Sequence, residues 1–337
     1  MNERIGLWAE LSQNGVALVT EAINKKLSVV ICPLRDPKEE ISLWLKSLGV
    51  KKVVYSDKKP DLESFSLSQS LPCAMGEEFS SIIRTSGTSG KPKSALIKYS
   101  AHAASAFAVN DYFSLTNKST WALSVPLFHV SGLSIIFRTM LCGAKIIVAA
   151  DPKSLKEAIE KGLTHLSLVP VQLKRLLDEN VPLNKIDAVI VGGDALPTDL
   201  KNRALDAGIS LFETYGLSET ASMIWVKDSR QSLGKLLPHA SMSISSDGEI
   251  LVGGASLFSG YVLGKVLNPA KNPFPTGDVV GEKEIGKLKL ISRKSNRIIS
   301  GGENIQLEEI ERIIKSHEAI IDCVVVGRAD DYGQSPH

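Results

Sequence analysis

Hydroxyl, glycine and lysine residues are concentrated at positions 85–93, which read Thr-Ser-Gly-Thr-Ser-Gly-Lys-Pro-Lys. Backbone N–H groups, hydroxyls and one ammonium on so short a loop can converge on a single anionic group, which is the chemistry of phosphate binding. The spacing differs from that of the Walker loop, and Pro92 withholds a backbone donor directly after Lys91. Considered alone, the stretch also fits a flexible surface turn.

Apolar runs on both sides predict how this loop is held. Residues 79–83 and 94–99 favour β-strands, so the loop is expected to join two strands at a hairpin-like turn. Further apolar runs alternate with amphipathic stretches, which predicts an α/β fold in which helices cover buried strands. Near residue 222 the pattern changes to alternating strands with Gly-rich turns, which predicts a small antiparallel or barrel-like subdomain.

The composition narrows the class of protein. The 337 residues are 43% hydrophobic and 23% charged, which is typical of a globular protein of two domains. The 39 basic and 37 acidic residues are mixed along the chain, so no basic stripe for nucleic acid is present. Four widely spaced cysteines predict neither a zinc site nor disulfides and fit a reducing compartment. No signal-type core and no membrane-length apolar run is found, so a cytoplasmic location is expected.

Several later segments place polar residues in apolar surroundings. His129 follows an apolar run at 121–125, although a lone histidine is usually structural. Gly192 and Gly193 precede Asp194 after another such run, where the glycines would allow close approach of a flat ligand, or form only a strand-to-helix turn.

Two more segments combine ligand-binding groups. Residues 214–220 bring an aromatic ring, a hydroxyl and a carboxylate together, which suits stacking, phosphate binding and Mg²⁺ ligation. Asp278 follows a Pro-broken stretch, where a carboxylate could accept hydrogen bonds from both hydroxyls of a ribose. Each of these signals is weak alone.

The order of the segments carries more information than any one of them. Residues 85–93, 126–133, 215–219, 276–278 and 293–305 resemble the successive core motifs of the adenylate-forming superfamily, which includes acyl-CoA synthetases, peptide-synthetase adenylation domains and luciferases. Within it, the segments 126–132, 164–173 and 299–305 are most similar to the o-succinylbenzoate-CoA ligases of menaquinone biosynthesis. The resemblance extends from about residue 14 to the end of the chain.

The resemblance implies an enzyme that activates a carboxylate with ATP as acyl-AMP and transfers the acyl group to coenzyme A, using Mg²⁺. It implies contacts with the nucleotide by Thr85, Ser86, Gly87, Thr88, Ser89, Gly90, Lys91, Gly192, Gly193, Asp194, Tyr215, Gly216, Ser218, Asp278 and Arg293. Glu219 would hold Mg²⁺, and His129 would border the reacting carboxylate together with Gly216. The residues expected to act in catalysis are His129, Lys91, Ser218 and Glu219.

The second carboxylate of o-succinylbenzoate needs a cation or several donors, because an unpaired buried charge is costly. Arg138 is the candidate, since it lies nine residues after His129 in the apolar stretch 133–141 and its planar fork suits a carboxylate. The alternative is that Arg138 extends to the surface. The partners are therefore a small carboxylic acid, ATP and coenzyme A; a homo-oligomer remains open.

Two departures from the family pattern qualify this reading. The hinge segment at 293–297 lacks the acidic residues of the family, and the chain is expected to stop within a C-terminal lid domain whose lysine contacts the reacting groups. The first strand-helix layer is also shorter than in the family. The expected organisation is a large AMP-binding domain at 1–292, containing a β-rich subdomain at 222–292, followed by an incomplete α+β lid at 293–337. Another acyl- or aryl-CoA ligase, or a nucleotide- or acyl-binding remnant without catalysis, remains the alternative.

Overall fold

The structure is a computed structural model. It describes residues 3–62, 64–72, 77–85, 92–281, 284–288, 290–293, 297–300, 303–315, 317, 320, 323, 325, 327–330 and 333–336.

Strands and helices alternate in the order that the apolar runs predict. The first strands are β1 (Arg4–Trp8), β2 (Ser28–Ile31), β3 (Lys52–Tyr55), β4 (Ser66–Ser68), β5 (Ser80–Thr85), β6 (Lys93–Lys98), β7 (Thr120–Leu123), β8 (Lys145–Val148), β9 (His165–Leu168), β10 (Ala188–Val191), β11 (Leu211–Leu217) and β12 (Ser222–Asp228). The remaining strands are β13 (Lys235–Leu236), β14 (Ala240–Ile244), β15 (Glu249–Gly254), β16 (Gly260–Leu263), β17 (Val266–Pro269), β18 (Phe274–Val280), β19 (Leu290–Arg293), β20 (Arg297–Ser300), β21 (Glu303–Gln306), β22 (Gly327–Asp330) and β23 (Gly333–Pro336).

The helices are α1 (Gln13–Asn24), α2 (Lys38–Ser47), α3 (Tyr99–Tyr112), α4 (Val130–Cys142), α5 (Pro152–Glu160), α6 (Pro170–Asp178), α7 (Thr198–Asp206) and α8 (Leu307–Lys315). Local sequence fixes several of their ends. Asp151 caps α5 by accepting hydrogen bonds from the backbone of Lys153 and Ser154, and α4 ends at Gly143 in the left-handed conformation. No helix in the described part of the chain is long and apolar enough to cross a membrane.

Two large sheets form the body of the protein. The eight-stranded sheet has the order β17-β16-β6-β5-β2-β1-β3-β4, and the seven-stranded sheet has the order β13-β12-β11-β10-β9-β7-β8. In the second sheet the neighbours from β8 to β11 are parallel, and β12 and β13 are antiparallel. The carboxyl ends of β7, β9, β10 and β11 therefore meet at one edge, which is where ligands bind in open α/β sheets.

Successive residues of the central strands belong to different cores, as expected for strands buried on both faces. In β2, Val29 and Ile31 face the core that contains α1, α3 and α4 between the two sheets, while Val30 packs with α2 on the outer face. In β10, Ile190 faces the same central core, while Val189 packs with α5, α6 and α7. This layered α/β arrangement confirms the predicted fold class.

The antiparallel region predicted from residue 222 is distributed over three sheets. Strand β12 extends the seven-stranded sheet, β16 and β17 extend the eight-stranded sheet, and only β14, β15, β18 and β19 form a separate four-stranded antiparallel sheet. Strand β19 begins at Leu290, after a single 3₁₀ turn at Ile285–Lys287. In the last part of the chain, four strands form a sheet of order β21-β20-β23-β22, and α8 follows β21 along the chain.

Candidate active site

A cavity of about 1030 Å³ opens at the carboxyl edge of the seven-stranded sheet and reaches across to β5 and β6 of the other large sheet. It gathers side chains and backbone from segments that are distant in sequence. Of the predicted site residues, those that line the cavity are Thr85, His129, Arg138, Gly192, Gly193, Gly216, Ser218 and Glu219. The cavity therefore brings the phosphate, adenine, metal and acid motifs of the sequence to one place.

The ends of the phosphate-binding loop are held by a regular hairpin. Strands β5 and β6 are antiparallel, and Thr85 pairs with Lys93 at the last position before the turn, which confirms the predicted hairpin. The Thr85 hydroxyl is buried and has no hydrogen-bond partner among the described residues, so it is free to bond a ligand. Ser86, Gly87, Thr88, Ser89, Gly90 and Lys91 lie outside the described residues, so their contacts with the triphosphate stay a prediction.

An ion-pair network fixes the strand that leads into this loop. The Arg84 guanidinium donates to the Asp36 carboxylate and, at 3.1 Å, to Glu40 at the start of α2. All three residues line the cavity. The pairing ties the end of β5 to α2 and leaves Lys93 as a further cation beside the loop, a position that the sequence interpretation did not select.

The glycine pair after β10 allows a ligand to approach the backbone. A Cβ atom at Gly192 would lie 2.4 Å from the Thr214 hydroxyl oxygen, so no larger residue fits there without displacement. Gly193 has a φ of +82°, in the left-handed region that glycine adopts at low cost. Asp194 is exposed, does not line the cavity, and accepts a hydrogen bond from the backbone N–H of Ala195 at 2.7 Å.

Tyr215 and Asp278 form a buried pair behind the cavity wall. The Tyr215 hydroxyl donates to the Asp278 carboxylate at 2.9 Å, and both residues are less than 10% exposed. Neither lines the cavity, whereas the neighbouring Thr276 and Gly277 do. Arg293 pairs with Asp278 across β18 and β19, so the backbone places the two predicted ribose contacts side by side. Stacking by Tyr215 and ribose binding by Asp278 remain predictions.

A tight turn after β11 presents the metal-binding candidate. Residues Ser218–Thr220 form one 3₁₀ turn, and Ala221 follows in the left-handed conformation with φ of +52°. The Glu219 carboxylate accepts a hydrogen bond from the Tyr261 hydroxyl at 2.6 Å, and the Lys93 ammonium lies 4.9 Å from the centre of the Tyr261 ring.

The donor set beside Glu219 fits Mg²⁺ bound together with a nucleotide. Mg²⁺ is held by one or two carboxylates while phosphate oxygens and water complete its shell. Glu219 supplies one half-buried carboxylate on the cavity wall, next to the predicted phosphate loop. No cluster of three or more His, Cys, Asp or Glu residues that could hold a metal is present in the described ranges.

His129 stands at the amino end of α4. Its side chain is exposed to the open cavity, yet surrounding protein lowers its pKa, with the Arg35 charge acting in the same direction and Asp36 opposing it. The neutral imidazole is therefore favoured near neutral pH, and it can donate or accept a hydrogen bond beside a reacting carboxylate.

Arg138 is a buried charged residue that lines the cavity, as predicted. Its side chain is only 1% exposed, and burial lowers its pKa to about 9. The guanidinium donates to the Ser222 hydroxyl at 3.0 Å and lies 5.1 Å from the centre of the Trp121 ring, while its Nε has no partner in the described part of the chain. Within the described residues no acidic side chain pairs with it. The structure therefore contradicts the alternative of a surface-directed arginine.

Comparison with known proteins identifies the family. The sequence profile described as "AMP-binding enzyme" matches residues 11–262. The chain belongs to the AMP-binding enzyme family. A curated 2-succinylbenzoate-CoA ligase of Escherichia coli K12 is 38% identical to this chain over 262 residues.

The match covers unequal shares of the relatives. It includes 76% of this chain and 57% of the E. coli protein, and the AMP-binding enzyme therefore spans less than two thirds of that relative. A 2-succinylbenzoate-CoA ligase of Listeria monocytogenes serotype 4b is 32% identical over 329 residues, covering 90% of this chain and 70% of the relative.

Solved structures agree on the architecture. A structure of wild-type E. coli MenE with a bound analogue of OSB-AMS has a TM-score of 0.84 and 30% identity, covering 99% of this chain and 77% of that one. The Bacillus subtilis MenE in complex with ATP and magnesium has a TM-score of 0.86 at 24% identity, covering 99% and 78%, and shows the shared fold alone.

Proposed function

We propose that this AMP-binding enzyme acts as an ATP-dependent acid-thiol ligase that converts o-succinylbenzoate to o-succinylbenzoyl-CoA in menaquinone biosynthesis. The curated relatives named 2-succinylbenzoate-CoA ligase support this substrate, as does the likeness to E. coli MenE with its bound OSB-AMS analogue. ATP, Mg²⁺ and coenzyme A are the corresponding cofactors and co-substrate. The widely spaced cysteines fit a reducing compartment, and we place the reaction in the cytoplasm.

The observation that carries the proposal is the buried Arg138. A guanidinium that is 1% exposed and has no acidic partner among the residues that the structure describes costs stability unless a ligand supplies the anion. Because its fork can bind a carboxylate with two hydrogen bonds, Arg138 favours an acid with a second carboxylate over benzoate or a fatty acid.

The chemistry requires two successive transfers. A carboxylate oxygen of the substrate attacks the α-phosphorus of ATP, and the bond between that phosphorus and the oxygen bridging to the β-phosphate breaks. Pyrophosphate leaves, and acyl-AMP remains bound. The thiolate of coenzyme A then attacks the acyl carbon and AMP leaves.

Residues of the cavity have distinct roles in these transfers. Thr85 and the loop after it would bind the triphosphate, Ser218 the α-phosphate, and Glu219 the Mg²⁺ ion, which stabilises the charge of the leaving pyrophosphate. His129 would orient the attacking carboxylate at the amino end of α4, and Arg138 would hold the far end of the acid.

The test measures pyrophosphate release and acyl-AMP mass with ATP, Mg²⁺ and each of three acids: o-succinylbenzoate, benzoate and decanoate. We expect product with o-succinylbenzoate, and its thioester once coenzyme A is added. Equal or greater turnover of benzoate or decanoate would instead indicate a ligase for another acid. Binding of a non-hydrolysable acyl-AMP mimic with no product from any acid would indicate a binding protein without catalysis.

A further inference from the structure

The Glu219 side chain is held by a residue that lies 42 positions later in the sequence. Tyr261 belongs to β16 of the eight-stranded sheet, whereas Glu219 follows β11 of the seven-stranded sheet. The phenol donates to Oε1 of Glu219 at 2.6 Å, and the backbone N–H of Phe258 donates to the Glu219 carbonyl at 2.8 Å. The segment around Tyr261 therefore fixes both the backbone and the carboxylate of Glu219 across the two sheets.

A carboxylate in this position gains orientation from the contact. A phenol bonded to an ionised oxygen at such a distance forms one of the stronger hydrogen bonds in proteins. With Oε1 engaged, the plane of the carboxylate is set, and the remaining oxygen is directed by the pairing rather than by free rotation. Partners of this kind behind a metal ligand commonly change metal affinity by about 10–100-fold when they are removed.

The ring of the same tyrosine contacts the other half of the site. The Lys93 ammonium lies 4.9 Å from the centre of the Tyr261 ring, close enough for a cation–π interaction. Strands β6 and β16 pair directly, with Tyr261 opposite Ala95, and Lys93 itself closes the hairpin opposite Thr85. One side chain therefore joins the end of the phosphate loop to the metal-binding candidate.

We propose that Tyr261 is a positioning residue for metal loading: its hydroxyl sets the Glu219 carboxylate, and its ring aligns that carboxylate with the end of the phosphate loop at Lys93. The inference rests on the proposed function for the roles of Glu219 and the loop. It adds a residue that does not itself touch the metal and that determines how tightly the metal–nucleotide complex is bound.

The test separates the hydroxyl from the ring. Tyr261→Phe keeps the ring, its packing against Phe258 and Phe274, and the contact with Lys93, and removes the hydroxyl that donates to Glu219. We expect Mn²⁺ binding, measured by electron paramagnetic resonance with a non-hydrolysable ATP analogue, to weaken by about tenfold. The half-saturating Mg²⁺ concentration for pyrophosphate release should rise by a similar factor, and excess Mg²⁺ should restore the rate.

Two further variants make the result specific. Tyr112→Phe removes a phenol hydroxyl that lies outside the cavity, and it should leave the Mn²⁺ affinity unchanged. In a Glu219→Gln background, Tyr261→Phe should add no further loss, because the hydroxyl acts through the carboxylate.

The inference is overturned if Tyr261→Phe binds Mn²⁺ as tightly as the parent chain, or if excess Mg²⁺ fails to restore the rate, since that would indicate a direct contact with substrate. Additive losses in the double variant would overturn it as well. A parent chain that binds no Mn²⁺ with the nucleotide analogue would contradict the proposed function instead, so the two failures are distinguishable.

Discussion

Replacing Arg138 with Met removes the buried guanidinium and keeps a long unbranched side chain in α4. Among the described residues the guanidinium donates to Ser222 and its Nε has no partner, so donors remain for a substrate carboxylate. A hydrogen bond to a charged group contributes about 1.5–3 kcal/mol. The two hydrogen bonds from the guanidinium to the second carboxylate of the substrate are therefore expected to provide about 3 kcal/mol together. Arg138→Met should lower kcat/KM for o-succinylbenzoate by roughly a hundredfold.

The assay compares two acids on two proteins. Benzoate lacks the second carboxylate, so its kcat/KM should differ between Arg138→Met and the parent chain by no more than about twofold. Arg138→Lys keeps a charge but not the planar fork, and it should recover only part of the activity with o-succinylbenzoate. Equal losses for both acids would refute the reasoning, because the arginine would then act on a step common to all substrates.

Stability and pH supply independent readouts of the same residue. Arg138→Met relieves a buried charge that has no acidic partner in the described residues, so the free energy of unfolding at pH 7 should stay the same or rise by about 1 kcal/mol or more. Burial lowers the pKa of Arg138 to about 9, so in the free enzyme the cation is present below that value and is lost above it. The kcat/KM for o-succinylbenzoate should accordingly fall above pH 9, and that for benzoate should not show this loss.

Three other outcomes follow from the site and the core. Burial lowers the pKa of three histidines from 6.5 to about 3 or 4, so their contribution to stability is complete above pH 6.5 and falls as the pH drops towards those values, because the unfolded chain is protonated first; they are His102, His165 and His239. In denaturant titrations from pH 7.5 to 5, the free energy of unfolding should fall by up to about 1.4 kcal/mol per pH unit for each of these histidines. A free energy of unfolding that does not change with pH would contradict this. Gly192→Ala should weaken AMP binding in calorimetry by about tenfold, and adding Thr214→Ala, which removes the clashing oxygen, should restore it. Asp278→Ala should weaken the binding of adenosine nucleotides but not the binding of pyrophosphate. Equal losses of affinity for both ligands would argue against a ribose contact.

Much of the fold could be predicted because its signals are local. The apolar runs around the phosphate loop fix β5 and β6, and Pro197 and Asp151 stand at the starts of the helices that follow them. The assignment of strands to sheets could not be read in this way. Strands β12 and β16 both contain short apolar runs, yet β12 joins one large sheet and β16 the other. An apolar run reports that a strand is buried, and it carries no information about the neighbouring strand.

The site residues also differ in whether local sequence could reveal them. His129, Ser218 and Glu219 could be selected because each lies in a short recognisable segment, and the structure brings all three to the cavity. Tyr261 could not be selected, since its importance depends on contacts with Glu219 and Lys93, which lie far away in sequence.

An ion pair in the cavity wall shows the same limit. The ion pair of Arg84 with Asp36 joins residues 48 positions apart, so no local sequence pattern predicts it. Residue types indicate which chemistry a position can perform, while the choice of partner is made by the packing of the sheets.

The indole of Trp121 gives this cavity a built-in optical signal. Its ring is fully buried, and the Arg138 guanidinium and the His165 imidazole both lie 5.1 Å from its centre. An anion bound to Arg138 changes the electric field at the indole without touching it, so the emission wavelength of this tryptophan follows occupancy of the acid pocket. The chain has four tryptophans, and Phe replacement of Trp8, Trp44 and Trp225 would leave a single-tryptophan protein in which acid binding can be followed without labels or turnover.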